Sequence, residues 1–222
     1  IVFELTTVRN KELERIKLLV TKNNLYEDLN VMALSFKEQA RLKHIDFSVN
    51  CPKNLSDAWY DKDKIEHIIY NLLSNAFKFT PKEGNIQLIA VPINNKNSIK
   101  IYVSDSGPGI EKEELENIFT LFYQSKIGVQ SKGSGIGLAL TKELIEVHRG
   151  KIEVTSNSIE GTTFIITFPI TEDAYLQEER IVTPQIDTAI VNQTIPKTTT
   201  AKSQKHDKTI LIVEDNLELQ QL

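Results

Sequence analysis

One stretch constrains this chain more than any other. Between residues 61 and 79, Ile65, Ile68, Ile69, Leu72, Leu73 and Ala76 fill one arc of a helical wheel, and His67, Asn71, Asn75 and Lys78 fill another about 130° away. Such a helix must bury one side against a second layer and present a polar row beside it. Asp63 and Glu66, at capping-box spacing, predict its start; Thr80 and Pro81 predict its end. Two amide oxygens four residues apart suit a hard cation such as Mg²⁺, and an ammonium three residues further on suits a phosphate. The same triplet equally fits a solvated helix face.

A chain of 222 residues can bury a real core, and 40% hydrophobic with 25% charged residues excludes a fibrous repeat, wholesale disorder or a membrane bundle. No run approaches the roughly 18 apolar residues of a membrane span, so no membrane contact is expected of this segment. A net charge of -4 supplies no global positive field for nucleic acid, so any anion must be held locally. The single cysteine, Cys51, excludes an internal disulfide and a four-thiolate zinc site, and fits a reducing cytoplasm. The first residue is Ile1 and no targeting pattern follows it, so the chain reads as a segment of something longer.

Along the chain, residues 3–20 carry apolar positions at roughly helical spacing, and 25–41 give a cleaner core-facing helix with Leu25, Leu29, Met32, Ala33, Phe36 and Ala40. Residues 44–50 alternate as a half-buried strand. After the central helix, strands are expected over 85–91 and 98–104, a helix over 111–119, a polar loop over 123–134, a helix over about 135–148 closed by Gly150 as a left-handed cap, and strands over 151–156 and 162–168. Residues 171–207, without glycine, Phe or Trp, read as a linker in which Ile181, Ile186, Ile190 and Val191 could still dock. An apolar run, Ile210 to Val213, then leads into Glu214 and Asp215. His44 is expected at a strand edge, His148 as a cation at a helix C-terminus and His206 in the linker.

Three more segments carry chemistry. Asp105 ends a strand and is followed by Ser106-Gly107-Pro108-Gly109-Ile110; a carboxylate there can accept from an amino group such as that of adenine, with glycines admitting a flat ring, or the segment is an ordinary turn. Gly133-Ser134-Gly135-Ile136-Gly137-Leu138 precedes a helix, where free amides favour phosphate, although a lid or a cap explains the glycines too. Its spacing is neither that of a Rossmann fingerprint nor that of a P-loop. Between the two lies the aromatic cluster 118–124, core packing or the anchor of a lid.

In order and spacing, these segments resemble the ATP-binding domain of sensor histidine kinases, a branch of the superfamily that includes gyrase, a heat-shock chaperone and the mismatch-repair ATPases. Asn71-Leu-Leu-Ser-Asn75-Ala-Phe-Lys78-Phe79 is similar to the N box, Asp105 to Ile110 to the first glycine box, Phe119 to Tyr123 to the F box, and Gly133 to Leu140 to the second glycine box. The resemblance spans residues 30–169. It implies a two-layer α/β sandwich of the Bergerat type, a mixed sheet packed on helices, with ATP and Mg²⁺ beneath a movable lid.

By that resemblance Asn75 coordinates Mg²⁺, Asn71 supports the phosphate end, Lys78 approaches the phosphates and Phe79 packs at the nucleotide. Asp105 receives the adenine amine with help from Thr162, and Gly107, Gly109 and Ile110 border the base. Gly133, Ser134, Gly135, Ile136, Gly137 and Leu138 supply the phosphate loop, with Tyr123 and Gln124 at its near end. Gln124 stands where many relatives carry Arg, and His67 where Gln is frequent. Lys208 to Asn216 resembles the opening strand of a response-regulator receiver. The implied organisation is the end of a dimerisation helix and lead-in over 1–20, the ATP-binding domain over 21–170, a linker over 171–207 and the first strand of a truncated receiver over 208–222.

The whole is then a hybrid two-component sensor: a cytoplasmic segment of an inner-membrane, homodimeric protein. Its partners are its own dimerisation domain, bearing the phosphoacceptor histidine, and its receiver. No catalytic side chain beyond nucleotide positioning is expected in this segment. A module that binds nucleotide and signals by lid conformation without chemistry is the alternative. An ATP-driven clamp fits less well, because Asn71 stands where those hydrolases carry a water-activating glutamate.

Overall fold

The computed structural model describes residues 16–124 and 134–181. A five-stranded mixed sheet has the order β2-β4-β5-β7-β6, where β2 is Asp46–Asn50, β4 Asn85–Ile93, β5 Ser98–Asp105, β6 Lys151–Asn157 and β7 Gly161–Pro169. β2 pairs parallel with β4; the other pairings are antiparallel. A small antiparallel ribbon joins β1 (Thr21–Asn23) to β3 (Ala58–Tyr60). The helices are α1 (Leu25–Leu34), α2 (Lys37–Lys43), α3 (Lys62–Phe79) and α4 (Gly137–Val147). This is the expected α/β sandwich with a mixed sheet. The strand alternation is visible in β5, where Ile99, Ile101 and Val103 are buried between half-buried neighbours, and Ile86, Leu88 and Ala90 of β4 do the same.

Against that layer lies α3, with all six residues of its predicted apolar arc buried, and Phe77 besides. Its N-cap is Asp61, whose carboxylate accepts from the Lys64 amide at 3.2 Å, rather than Asp63: an extended backbone at Asp61 lets the side chain turn back over the first turn. The C-terminal stop at Thr80 is as expected.

Several expectations are corrected. Residues 16–20 are not helical: Leu18 and Val20 are buried while Leu19 is exposed, an alternation of period two, and residues 1–15 lie outside the described residues. The helix expected over 25–41 breaks at Ser35 and Phe36, because Phe36 turns inward to stack on Phe77 with ring centroids 5.1 Å apart. His44 is the left-handed C-cap of α2 rather than a strand-edge residue. Residues 111–119 form turns bonded three residues apart, Glu114 to Glu111 and Asn117 to Glu114, instead of an α-helix, and Ile118 docks on the core. At the end of α4 the left-handed residue is Arg149 (φ 58°), and Gly150 serves by smallness, since a Cβ there falls 2.5 Å from the Thr167 carbonyl oxygen.

Part of the stretch read as a linker is packed. Tyr175 is buried with Leu18 and Val20 in a second, smaller apolar cluster flanked by Trp59, Val147 and Ala174. The strand-like run 208–213 and His206 lie outside the described residues.

Candidate functional site

Asn71, Asn75 and Lys78 lie half-buried on α3, clear of its core arc. Asn71 donates from Nδ2 to the Thr141 hydroxyl of α4 at 2.8 Å, and a Cβ built on Gly137 would run into Asn71 Oδ1. Only glycine lets the first turn of α4 approach the polar row this closely. Ile136 caps α4 without a side-chain hydrogen bond and the first turn holds no acidic residue, while the Ile136 amide itself donates to Ser134 Oγ at 3.4 Å; the macrodipole at this end favours an anion. Lys78 Nζ lies 5.0 Å over the Phe79 ring. His67 is directed along its own helix, its Nδ1 3.1 Å from the Asp63 carbonyl.

At the other end of the row sits Asp105, the last residue of β5, paired in register with Thr162 of β7. Its carboxylate accepts from the Gly107 amide at 2.8 Å. Burial holds its pKa up at about 6, with the Gly107 and Thr162 amides pulling the other way. A Cβ on Gly107 would fall 2.7 Å from Asp105 Oδ1 and 3.2 Å from the Phe79 carbonyl oxygen, so this glycine seats the acid against the end of α3. Asn71 and Phe79 are eight residues apart, ~12 Å along the helix, so acid and polar row border the same element.

Thr162 is anchored by a residue the sequence reading missed. Ser156 Oγ donates to the Gly161 carbonyl at 3.0 Å and accepts from the Ile110 amide at 2.8 Å, so its 2.9 Å contact with Thr162 takes the Thr162 hydroxyl hydrogen. Lone pairs of Thr162 Oγ1 remain for a donor. Gly109 takes φ +76° with its missing Cβ against the Asn157 backbone, fixing the turn that leads to Ile110.

The second glycine segment meets the aromatic cluster. Gly135, at φ +69°, accepts from the Phe122 amide at 2.8 Å, and a Cβ on it would lie 2.6 Å from the Phe122 carbonyl carbon. Phe122 itself is held at φ 64° with its ring exposed, a strained geometry for an aromatic residue. Tyr123 donates to Glu114 at 3.2 Å, and Gln124 is exposed. Ser134 and Ile136 are exposed and Leu138 packs on the core; Gly133 lies outside the described residues. Besides Ser156, the sequence reading missed Thr141, whose signal was a hydroxyl four residues after Gly137 on the side of α4 that faces α3.

No group of three or more His, Cys, Asp or Glu that could hold a metal occurs among the described residues.

The sequence profile of the histidine kinase-, DNA gyrase B- and HSP90-like ATPases matches residues 60–172. The chain belongs to that family. It is 30% identical to histidine kinase P4 of Formosa agariphila over 94% of this chain and 16% of that protein, and 33% identical to the sensor histidine kinase WalK of Bacillus subtilis over 61% of this chain and 23% of that one. It thus spans a small part of the length of its curated relatives. The nucleotide-free catalytic domain of histidine kinase ThkA superposes with a TM-score of 0.62 at 29% identity, covering 70% of this chain and 99% of that domain. Full-length ShkA in complex with AMPPNP superposes with a TM-score of 0.60 at 26% identity, covering 70% and 32%. The chain is therefore a histidine kinase catalytic domain by family and by fold. Among the described residues, no helix is long and apolar enough to cross a membrane.

Proposed function

We propose that this segment binds Mg-ATP along α3 and donates the γ-phosphoryl group to a histidine on a dimerisation domain in a hybrid two-component system. The observation that carries the reading is the pair of glycine contacts on one helix: Gly107 seats Asp105 at Phe79, and Gly137 seats the first turn of α4 at Asn71. A nucleotide lying between them directs its base to Asp105 and Thr162 and its phosphates to the amides of residues 135–138. ShkA, similar in fold, was solved with AMPPNP, an ATP analogue.

Asp105 accepts the adenine amine as a carboxylate, Thr162 Oγ1 offers further lone pairs, and Ile110 and Phe79 flank the base. Lys78 and Asn71 face the phosphate end, with Tyr123 and Gln124 bordering the loop. Asn75 offers an oxygen to Mg²⁺, and a single amide suits an ion that keeps waters and takes phosphate oxygens from its nucleotide. When bound, Mg²⁺ supplies neutralisation of phosphate charge. The protein's own contribution is position, which phosphoryl transfer demands more than covalent help.

Partners follow from the reaction: the domain's own dimerisation and receiver domains, within a homodimer whose membrane anchor lies upstream. The domain boundaries proposed are 1–20, 21–170, 171–207 and 208–222. ThkA has been crystallised with the response regulator TrrA, an assembly of the proposed kind. Calorimetry with Mg-ATP on the wild type, Asp105→Ala and Asn75→Ala tests binding. Labelled ATP with a separate histidine-bearing fragment tests transfer; tight binding without transfer favours a module that signals by conformation alone.

A further inference from the structure

The far ends of α3 and α4 are tied together by a buried pair outside the candidate site. Asp61, the N-cap of α3, donates its backbone amide to His148 Nε2 at 3.3 Å, and His148, the C-cap of α4, lies 2.7 Å through Nδ1 from the Leu144 carbonyl. Because Nε2 must accept, Nδ1 carries the proton and donates, and the ring is neutral with both nitrogens satisfied. It is 0% exposed. Since Asp61 meets His148 while Asn71 meets Thr141 and Gly137, the two helices run antiparallel, and α4 is fastened at its C-terminus to the start of α3 and through its first half to the middle of α3.

Two chain segments join at this same point. The Leu19 amide donates to Asp61 Oδ2 at 2.8 Å, so the lead-in is bonded to the cap of α3. The outgoing chain pairs with the lead-in as a parallel bridge, Val20 donating to the Glu179 carbonyl at 2.7 Å and Ile181 donating to the Val20 carbonyl at 2.8 Å. Tyr175 packs edge-on to the His148 ring with centroids 6.4 Å apart, and Arg149 bonds Glu179 at 2.7 Å. Lead-in, outgoing chain and both site helices therefore converge on Asp61 and His148.

We propose that His148, with Asp61, is a positioning pair through which the outgoing segment 175–181 and the lead-in segment 18–20 set the contact between Asn71 and Gly137, and with it the affinity for nucleotide. The inference rests on the nucleotide reading above for its ligand. The physical reason is that Gly137 has no slack against Asn71, so a small change in how the two helices cross is felt at once where the start of α4 meets the middle of α3. Joining the segments before and after the domain at this point makes whatever displaces either one a regulator of the site.

The test uses the full chain and four variants, His148→Leu, His148→Gln, Tyr175→Ala and Ile181→Pro. Arg180 is at φ −92° and ψ 125°, which a following proline accepts, so Ile181→Pro removes one bridge hydrogen bond with little strain. Two quantities are read at a temperature where circular dichroism shows every variant folded: the Kd for Mg-ATP, and amide hydrogen exchange over residues 137–141. His148→Leu should weaken Mg-ATP about tenfold while His148→Gln, which keeps a donor and an acceptor, stays within about twofold. Tyr175→Ala and Ile181→Pro should each weaken it about threefold and speed exchange at 137–141, with Ile181→Pro adding nothing further in the His148→Leu background.

Unchanged Kd and exchange in Ile181→Pro, or effects that multiply independently, overturns the proposal; should His148→Leu fail to fold, Ile181→Pro and Tyr175→Ala carry the test. If the wild type binds no Mg-ATP, the nucleotide reading fails by itself, and the exchange rates alone decide whether the outgoing segment reaches α4.

Discussion

The two ends of the α3–α4 pair solve opposite problems. Around His148 and Asp61, the ring nitrogens, caps and amides in contact find partners inside the protein. Around Asn71, Gly137 and Asp105, the protein leaves work undone: a helix start without a side-chain cap, a phenylalanine held at positive φ, and a carboxylate raised to about 6 by its own burial. The first end is closed by internal hydrogen bonds, apart from the buried Arg180 Nε of the outgoing segment, which has no partner; the second presents its groups outward.

The difference is broken most sharply by Asp105→Ala. It should weaken Mg-ATP by roughly 100-fold, about 2.7 kcal/mol, while the urea midpoint of the free protein changes little, because relief of a buried charge offsets the lost acceptor for the Gly107 and Thr162 amides. A lower midpoint with unchanged affinity would make Asp105 a structural residue. His148→Leu should do the reverse in size, costing about 2 kcal/mol of folding stability in urea titration by leaving the buried Asp61 amide without its partner and the Leu144 carbonyl with only the 3.4 Å bond from the backbone amide of residue 148. His148→Gln should recover most of that loss.

Gly137→Ala sharpens the contrast on a single methyl group. Its Cβ collides with Asn71 Oδ1, so affinity for Mg-ATP should drop about tenfold, with a stability change below about 1 kcal/mol. Calorimetry and urea melts together separate the two effects.

The smallest expected effect is pH dependence, where the two ends carry opposite signs. His148 is held below its usual value by burial, against the pull of the Leu144 carbonyl and Asp61 and with Lys64 and Arg149 adding to the depression. Its contribution to stability is complete above the unfolded value, about 6.5, and is lost as pH falls below it. Asp105 is raised above its usual value, so its ionisation lowers stability as pH rises from about 4 through 6. Mg-ATP affinity should fall about fourfold between pH 7.5 and 5.5 as the Asp105 carboxylate protonates. Affinity that is flat across that range would show that the base does not lean on this acid.

Much of this was legible beforehand because periodicity and turn chemistry are local. The apolar arc of α3, the alternation in β4 and β5, and the three motif segments all declare themselves within a few residues. Elements without such local pattern were not legible: β1 and β3 are three residues each and exist only as partners of one another. Ser156 and Thr141 carry no motif, and their roles come from hydrogen bonds to residues 46 and 70 positions away.

By itself, then, the sequence named candidate residues with the donors and acceptors to suit a base, a cation and phosphates, because residue type and short spacing decide donor sets and helix faces. Only the tertiary structure decided that they border one helix, that His148 is a buried neutral ring instead of a terminal cation, and that the outgoing chain folds back onto the lead-in. Those outcomes depend on burial and long-range pairing, and both are properties of the packed chain that no window of sequence contains.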